Sequence, residues 1–204
     1  MCAHACATCP RAAPHPCCSV INPAGAPDAF QFEALLHTYL AIGKDNIEGV
    51  RIAGLAGTQY IDKMDAGATH DEAGAEVRIT RETDRVYMAA PADVEVTGIV
   101  AQARAPVTRI IVHKTGTVRD AHMALRGVVV SAPLDVVVWN AWVDKCASIA
   151  DFDPADYKSY VCIEPGRVSE RTAHYAGRES LPPGKKFTLS QMLVLKREDA
   201  PATA

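Results

Sequence analysis

A chain of 204 residues that is 49% hydrophobic and 22% charged has the composition of an ordinary globular protein, which argues against a disordered chain or a coiled coil. Its 21 basic and 24 acidic residues leave a formal charge of -3 with no basic block, so a nucleic-acid partner is not expected. The longest apolar stretch, Gly127 to Trp139, is broken by Ser131, Pro133 and Asp135 and is shorter than the roughly 20 residues of a membrane helix, so no membrane partner is expected either.

In chain order, residues 1–28 read as a separate leader. They are rich in Cys, Ala and Pro, and Pro10, Pro14, Pro16, Pro23 and Pro27 oppose any regular element. Five of the seven cysteines (Cys2, Cys6, Cys9, Cys17, Cys18) crowd this segment, which is not the spread of a disulfide framework. The spacing of Cys2, Cys6 and Cys9 is compatible with zinc or an iron–sulfur cluster, but the proline-rich setting and the lack of a second ligand pair favour an unstructured leader. There is no basic start followed by a long apolar run, so a cytoplasmic location is the expectation.

Residues 29–196 change texture to short β-branched runs: Val77 to Ile79, Val86 to Met88, Val94 to Val96, Ile110 to Val112, Val128 to Val130, Val136 to Val138 and Phe187 to Leu195. Alternating apolar and polar positions, with turn formers such as Asp65-Ala66-Gly67, Thr115-Gly116 and Pro182-Pro183-Gly184 between them, predict an all-β antiparallel sandwich or barrel. Gly116 to Pro133 reads as an extended loop or insertion. Short helical turns are expected from Asp153-Pro154, where the Asp suits a cap and the Pro a first turn, and over Asp144 to Ile149. Residues 197–204 read as a flexible tail.

Two residues stand out chemically. His37 lies in the apolar run Leu35 to Leu40, and Glu164 follows Val161-Cys162-Ile163 and precedes Pro165-Gly166. A carboxylate among apolar neighbours is desolvated and its pKa rises towards the range useful for proton transfer, while a histidine already titrates near neutrality. The plainer alternatives are a hydrogen-bonded core histidine and a surface-facing strand glutamate.

The segments Leu36-His37-Thr38-Tyr39, Gly54 to Gly57 with Tyr60 to Lys63, Thr83 to Tyr87, Asp135 to Trp142 and Val161 to Gly166 follow one another as in the glucose-6-phosphate 1-epimerases, and Leu181-Pro182-Pro183-Gly184 precedes the final strand. From about Phe32 to Leu195 the chain resembles the C-terminal part of that family, the hexose-6-phosphate mutarotases of the aldose 1-epimerase superfamily. The resemblance implies a galactose mutarotase-like supersandwich, truncated at its N-terminal side, and interconversion of the α and β anomers of an aldohexose 6-phosphate without metal or organic cofactor. It implies His37 as general acid and Glu164 as base, with Asp84 in the place of a substrate-contacting aspartate; a turn or strand-end Asp is the plain alternative. Trp139 and Trp142 are expected in the core rather than against a ligand.

Family members are longer, and their first part carries sandwich strands and the arginines associated with phosphate recognition. Here Arg51, Lys63, Arg85 and Arg109 are the available cations, none assignable to a phosphate by motif. Missing strands would leave unpaired edges and an uncovered apolar face, so a noncatalytic sugar-binding or regulatory remnant is the alternative function. Ala141 stands where the family typically has proline.

Overall fold

The computed structural model describes residues 16–100, 107–121, 130–168 and 179–197. Two seven-stranded antiparallel sheets dominate them. The first runs in spatial order Cys17–Ile21, Lys185–Arg197, Val107–Asp120, Asp93–Thr97, Arg51–Ala53 and Glu76–Val77, with Val130–Ser131 paired to Val107–Asp120. The second runs Ala34–Leu35, Tyr160–Arg167, Asp135–Asn140, Thr83–Tyr87, Gln59–Asp62 and Ala68–Asp71, with Tyr39–Ala41 also paired to Tyr160–Arg167. One short α-helix, Trp142–Ala147, is present among the described residues, and no helix there is long and apolar enough to cross a membrane.

Alternation along each strand decides what is buried. Ile52, Val94, Val96, Ile110 and Val112 of the first sheet join Tyr60, Tyr87, Val136, Val138, Val161 and Ile163 of the second in one buried cluster, the core of a sandwich. Each such side chain, fully buried, contributes about 1.5–3 kcal/mol. Lys114 continues the inward series of Ile110 and Val112. Its ammonium donates to the carbonyls of Ala90 at 2.7 Å and Leu134 at 3.1 Å, tying the first sheet to segments that adjoin two strands of the second. Burial holds its pKa down at about 8, against the opposing pull of Asp135 and Asp93.

The fold differs from the sequence expectation in several places. Cys17–Ile21, inside the expected leader, is a strand paired over all five residues with Ser190 to Lys186. Pro16 and Pro23 flank the ladder rather than interrupt it, so they end the strand without preventing it. Gly116, expected to begin a loop, lies inside the fourteen-residue strand Val107–Asp120. A Cβ there would stand 2.7 Å from the Leu134 side chain and 2.8 Å from the Ala132 carbonyl, so the glycine admits a neighbouring segment and does not break the strand. The expected helix after Asp153 is a 3-10 turn at Asp156–Lys158, while the other expected turn is the Trp142–Ala147 helix. The expected strand Val77 to Ile79 is limited to Glu76–Val77. Residues 1–15, with the Cys2–Cys9 cluster, lie outside the described residues, as do 101–106, 122–129, 169–178 and 198–204.

Asn140 anchors the end of a central strand. Its amide donates to the carbonyls of Tyr157 and Tyr160, both at 2.9 Å, and its Oδ1 accepts from Trp142 N–H at 2.9 Å. These bonds secure a turn in which Trp142 has φ of 53° and Ala141 a φ of -65°, the value a proline ring would hold. Replacing Asn140 by Leu leaves the buried Tyr160 carbonyl and the partly buried Tyr157 carbonyl without their donor, and a loss of about 2–4 kcal/mol is expected in urea unfolding. A loss under about 1 kcal/mol would show that the amide is not structural.

Candidate functional site

The site is built on the face of the second sheet turned away from the inter-sheet core. In Tyr160–Arg167 the side chains of Val161 and Ile163 enter that core, so Cys162 and Glu164, two residues apart, share the opposite face. Register extends this face across the sheet: Glu164 pairs with Val137 and Val137 with Val86, while Cys162 pairs with Trp139 and Trp139 with Asp84. Ile61, Val86, Met88 and Val137 form a second buried cluster there, with Trp139 and Val168 packed against it.

His37 reaches the same face from an interruption in the neighbouring edge. Ala34–Leu35 and Tyr39–Ala41 both pair with Tyr160–Arg167, and residues 36–38 bulge between them. Leu36 N–H donates to Pro165 O at 3.0 Å, and Ile163 N–H donates to Thr38 O at 3.2 Å, so the backbone is clamped on both sides of Glu164. Gly166 makes this approach possible, since a Cβ there would lie 2.5 Å from Ala34 O. The bulge aims the histidine inward across the edge, a recurrent use of such irregularities. The imidazole stacks on Tyr39, with centroids 4.9 Å apart and planes at 11°, and meets Trp139 edge-on at 5.7 Å.

His37 Nδ1 lies 3.2 Å from Glu164 Oε1, with the His side chain 47% exposed and the Glu side chain 3% exposed. Burial, reinforced by the nearby Asp84 charge and opposed by Lys63, raises the Glu164 pKa to about 8. Burial also pushes His37 below its ordinary value, against the pull of Asp84. At neutral pH the predominant forms are therefore a protonated carboxyl and a neutral imidazole. Their contact is not a standing ion pair, which agrees with Glu164 Oε1 having no aligned hydrogen-bond partner.

Leu35, His37, Lys63, Asp84, Val137, Trp139, Glu164 and Val168 line one pocket of about 220 Å³. All three residues singled out in the sequence, His37, Asp84 and Glu164, are thus brought together. Asp84 Oδ1 stands 3.7 Å from Lys63 Nζ. The other cations are engaged elsewhere: Arg85 with Asp62 at 3.2 Å and Glu72 at 3.6 Å, Arg109 with Glu95 at 3.0 Å, and Arg51 with Glu76 at 4.0 Å. Trp139, expected in the core, forms a wall of the pocket, whereas Trp142 packs on Tyr157 as a structural residue. Sequence reasoning gave Cys162 no role, although its two-residue spacing from Glu164 placed both on one strand face. A larger groove of about 780 Å³, with Leu40, Ile99, Val107, Ile110, Leu193 and Leu195 in its lining, is mostly apolar and brings no acid–base pair together.

No family model matches the chain. A curated protein of Cenchrus ciliaris named "Putative glucose-6-phosphate 1-epimerase" is 29% identical over 158 residues, which cover 78% of this chain and 40% of that protein. Among solved structures, the chain is similar to a "putative mutarotase (YeaD)" of Salmonella typhimurium, with a TM-score of 0.55 and 20% identity over 82% of this chain and 47% of that one. It is also similar to a "Putative aldose 1-epimerase" of Escherichia coli K12, with a TM-score of 0.51 and 14% identity over 89% and 56%. The chain thus spans about half the length of these relatives or less. Within that span it carries the sandwich fold of the mutarotases and aldose 1-epimerases, and the resemblance to the glucose-6-phosphate 1-epimerases that its motifs display is shown.

Proposed function

We propose that the chain interconverts the α and β anomers of an aldohexose 6-phosphate, glucose 6-phosphate being the first choice, in the cytoplasm. The unit proposed to carry this activity is residues 29–196 with the Cys17–Ile21 strand on its edge. The observation that carries the reading is the placement of His37 Nδ1 3.2 Å from Glu164 Oε1 at the pocket that also holds Asp84.

Ring opening needs a proton delivered to the ring oxygen and another removed from the C1 hydroxyl. Both oxygens sit on one carbon, so the acid and base must be close neighbours. A glycosidase pair, which works across a glycosidic bond, is separated by about 5–9.5 Å. His37 protonates the ring oxygen while Glu164 takes the hydroxyl proton, the C1–O bond breaks and an aldehyde forms. After rotation about C1–C2 the aldehyde is attacked from its other face and both protons return, so no cofactor is consumed. Asp84 accepts a hydrogen bond from a sugar hydroxyl, and Trp139 offers an apolar wall to a sugar face. Lys63, which lines the pocket beside Asp84, is the cation proposed to face a phosphate.

The productive state holds one proton on the pair; it rests mostly on Glu164 and is active when it has passed to His37 across their 3.2 Å contact, leaving Glu164 ionised as the base. This state is lost when both groups are protonated, below the lowered His37 pKa, and when neither is, above about 8. The second reading is a noncatalytic remnant that binds the sugar at the pocket holding Asp84 and Glu164 without turning it over.

Polarimetry or NMR of freshly dissolved α-glucose 6-phosphate, in chelator-treated buffer, tests the proposal. Acceleration is expected, falling by about 10²–10⁴-fold in both His37→Ala and Glu164→Gln. A folded chain that binds the sugar without accelerating anomerisation would transfer support to the remnant. The pH profile of kcat/KM is expected to be bell-shaped, with its alkaline limb near pH 8. Asp84→Asn, by removing a charge that raises the Glu164 pKa, moves that limb to lower pH; an unmoved limb would exclude Glu164 as the titrating group.

Glu164 also sets a stability cost. Its folded pKa is raised from 4.5 to about 8, so the native state loses stability as pH rises through that interval. Measured by urea unfolding, wild type is expected to lose ground to Glu164→Gln by at most about 1.4 kcal/mol per pH unit there, with no further change at higher pH. Parallel stability curves for the two proteins would contradict the buried-carboxylate description.

A further inference from the structure

Cys162 takes no part in the proton transfers, yet its thiol lies beside the pair that performs them. The ligand atoms of His37, Cys162 and Glu164 are all within 4.8 Å of one another. Cys162 is fully buried and Glu164 nearly so, both fixed on one strand face, while the half-exposed His37 stands across from them on its bulge. Glu164 Oε1 is buried without an aligned hydrogen-bond partner, so a polar atom faces this space with its bonding unfilled. Leaving such an atom unsatisfied is costly, and a cation is one means of satisfying it.

We propose that His37, Cys162 and Glu164 form a binding site for a thiophilic divalent cation of the zinc class, which occupies the acid–base pair and blocks it. The donor set decides the class of metal. Thiolate, imidazole and carboxylate together suit zinc, cadmium or cobalt, whereas magnesium and calcium take oxygen ligands. Three protein ligands leave a fourth tetrahedral position, which water can fill from the pocket. Bonds of about 2.0–2.3 Å place tetrahedral ligand atoms roughly 3.3–3.8 Å apart, so ligand atoms within 4.8 Å of one another need close by no more than about 1 Å, a change within reach of side-chain torsions. Coordination deprotonates the thiol and uses the carboxylate and imidazole lone pairs that proton transfer needs. Metal binding stands on this geometry alone; the inhibitory half rests on the mutarotase reading above.

The test uses the full-length chain with Cys2, Cys6, Cys9, Cys17 and Cys18 replaced by Ser, so that the N-terminal thiolates do not compete and only the buried Cys146 remains outside the site. Zinc is titrated against a chelating dye, and cobalt is followed by its thiolate charge-transfer absorption. One zinc per chain is expected, with a cobalt–thiolate band, and each of His37→Ala, Cys162→Ala and Glu164→Gln should weaken binding at least tenfold. Circular dichroism checks folding; if Cys162→Ala fails to fold, the near-isosteric Glu164→Gln carries the test. Absence of stoichiometric zinc binding, or affinity unchanged in the folded variants, overturns the proposal. Zinc is expected to suppress anomerisation at the concentration that fills the site. A chain that shows the cobalt band but never accelerates anomerisation retains the metal site and loses the mutarotase reading; one that turns over undisturbed while zinc fills the site overturns the inhibitory half.

Discussion

Burial of the Glu164 carboxylate on one face of Tyr160–Arg167 is the constraint around which the site is arranged. The strand sits inside its sheet, with Val161 and Ile163 committed to the inter-sheet core, so the alternate positions cannot turn away from the opposite face. A one-residue slip would send Glu164 into the core and bring Ile163 out. Register, hydrophobic packing and the position of the carboxylate are therefore one property of the strand.

The neighbouring groups are answers to that burial. Asp84 makes the carboxylate harder to ionise and Lys63 makes it easier, and both stand where cross-strand register or an adjoining turn delivers them. His37 is placed differently, by a gap in pairing held at both ends by backbone hydrogen bonds, so its ring keeps more exposure than the carboxyl it faces. Stacking on Tyr39 and the edge of Trp139 limits the ring's freedom without filling the pocket. A rigid carboxyl beside a more accessible imidazole suits proton transfer to adjacent oxygens of one small molecule. The same closeness, with a thiol beside it, is what makes the pair attractive to a soft cation.

The two sheets are joined by polar as well as apolar contacts. Lys114 extends from the first sheet to carbonyls adjoining strands of the second, and Asp135 accepts from the N–H groups of Ala89 and Val168 at 3.0 and 3.1 Å. Val168 also lines the pocket, so Asp135 links the edge of the site to the strand scaffold. Buried polar groups satisfied in this way hold unique partners where apolar packing alone tolerates sliding.

Local pattern alone determined much of this. Period-two alternation of β-branched residues announced an antiparallel sandwich, and the flanks of His37 and Glu164 marked them as costly placements, because those signals lie within a few residues along the chain. The family motifs added Asp84. Tertiary structure decided what depends on partners distant in sequence. Cys17–Ile21 is a strand because Lys185–Arg197 offers it a ladder, and Gly116 stays in a strand because Leu134 and Ala132 press against it. Lys63, rather than Arg51, Arg85 or Arg109, lines the pocket because Arg51 and Arg109 belong to strands of the first sheet and Arg85 alternates with Asp84 onto the other face of its strand. Trp139 and Cys162 reach the site through register with Asp84 and alternation with Glu164, and pairing across a sheet is set by long-range contacts that no short window of sequence contains.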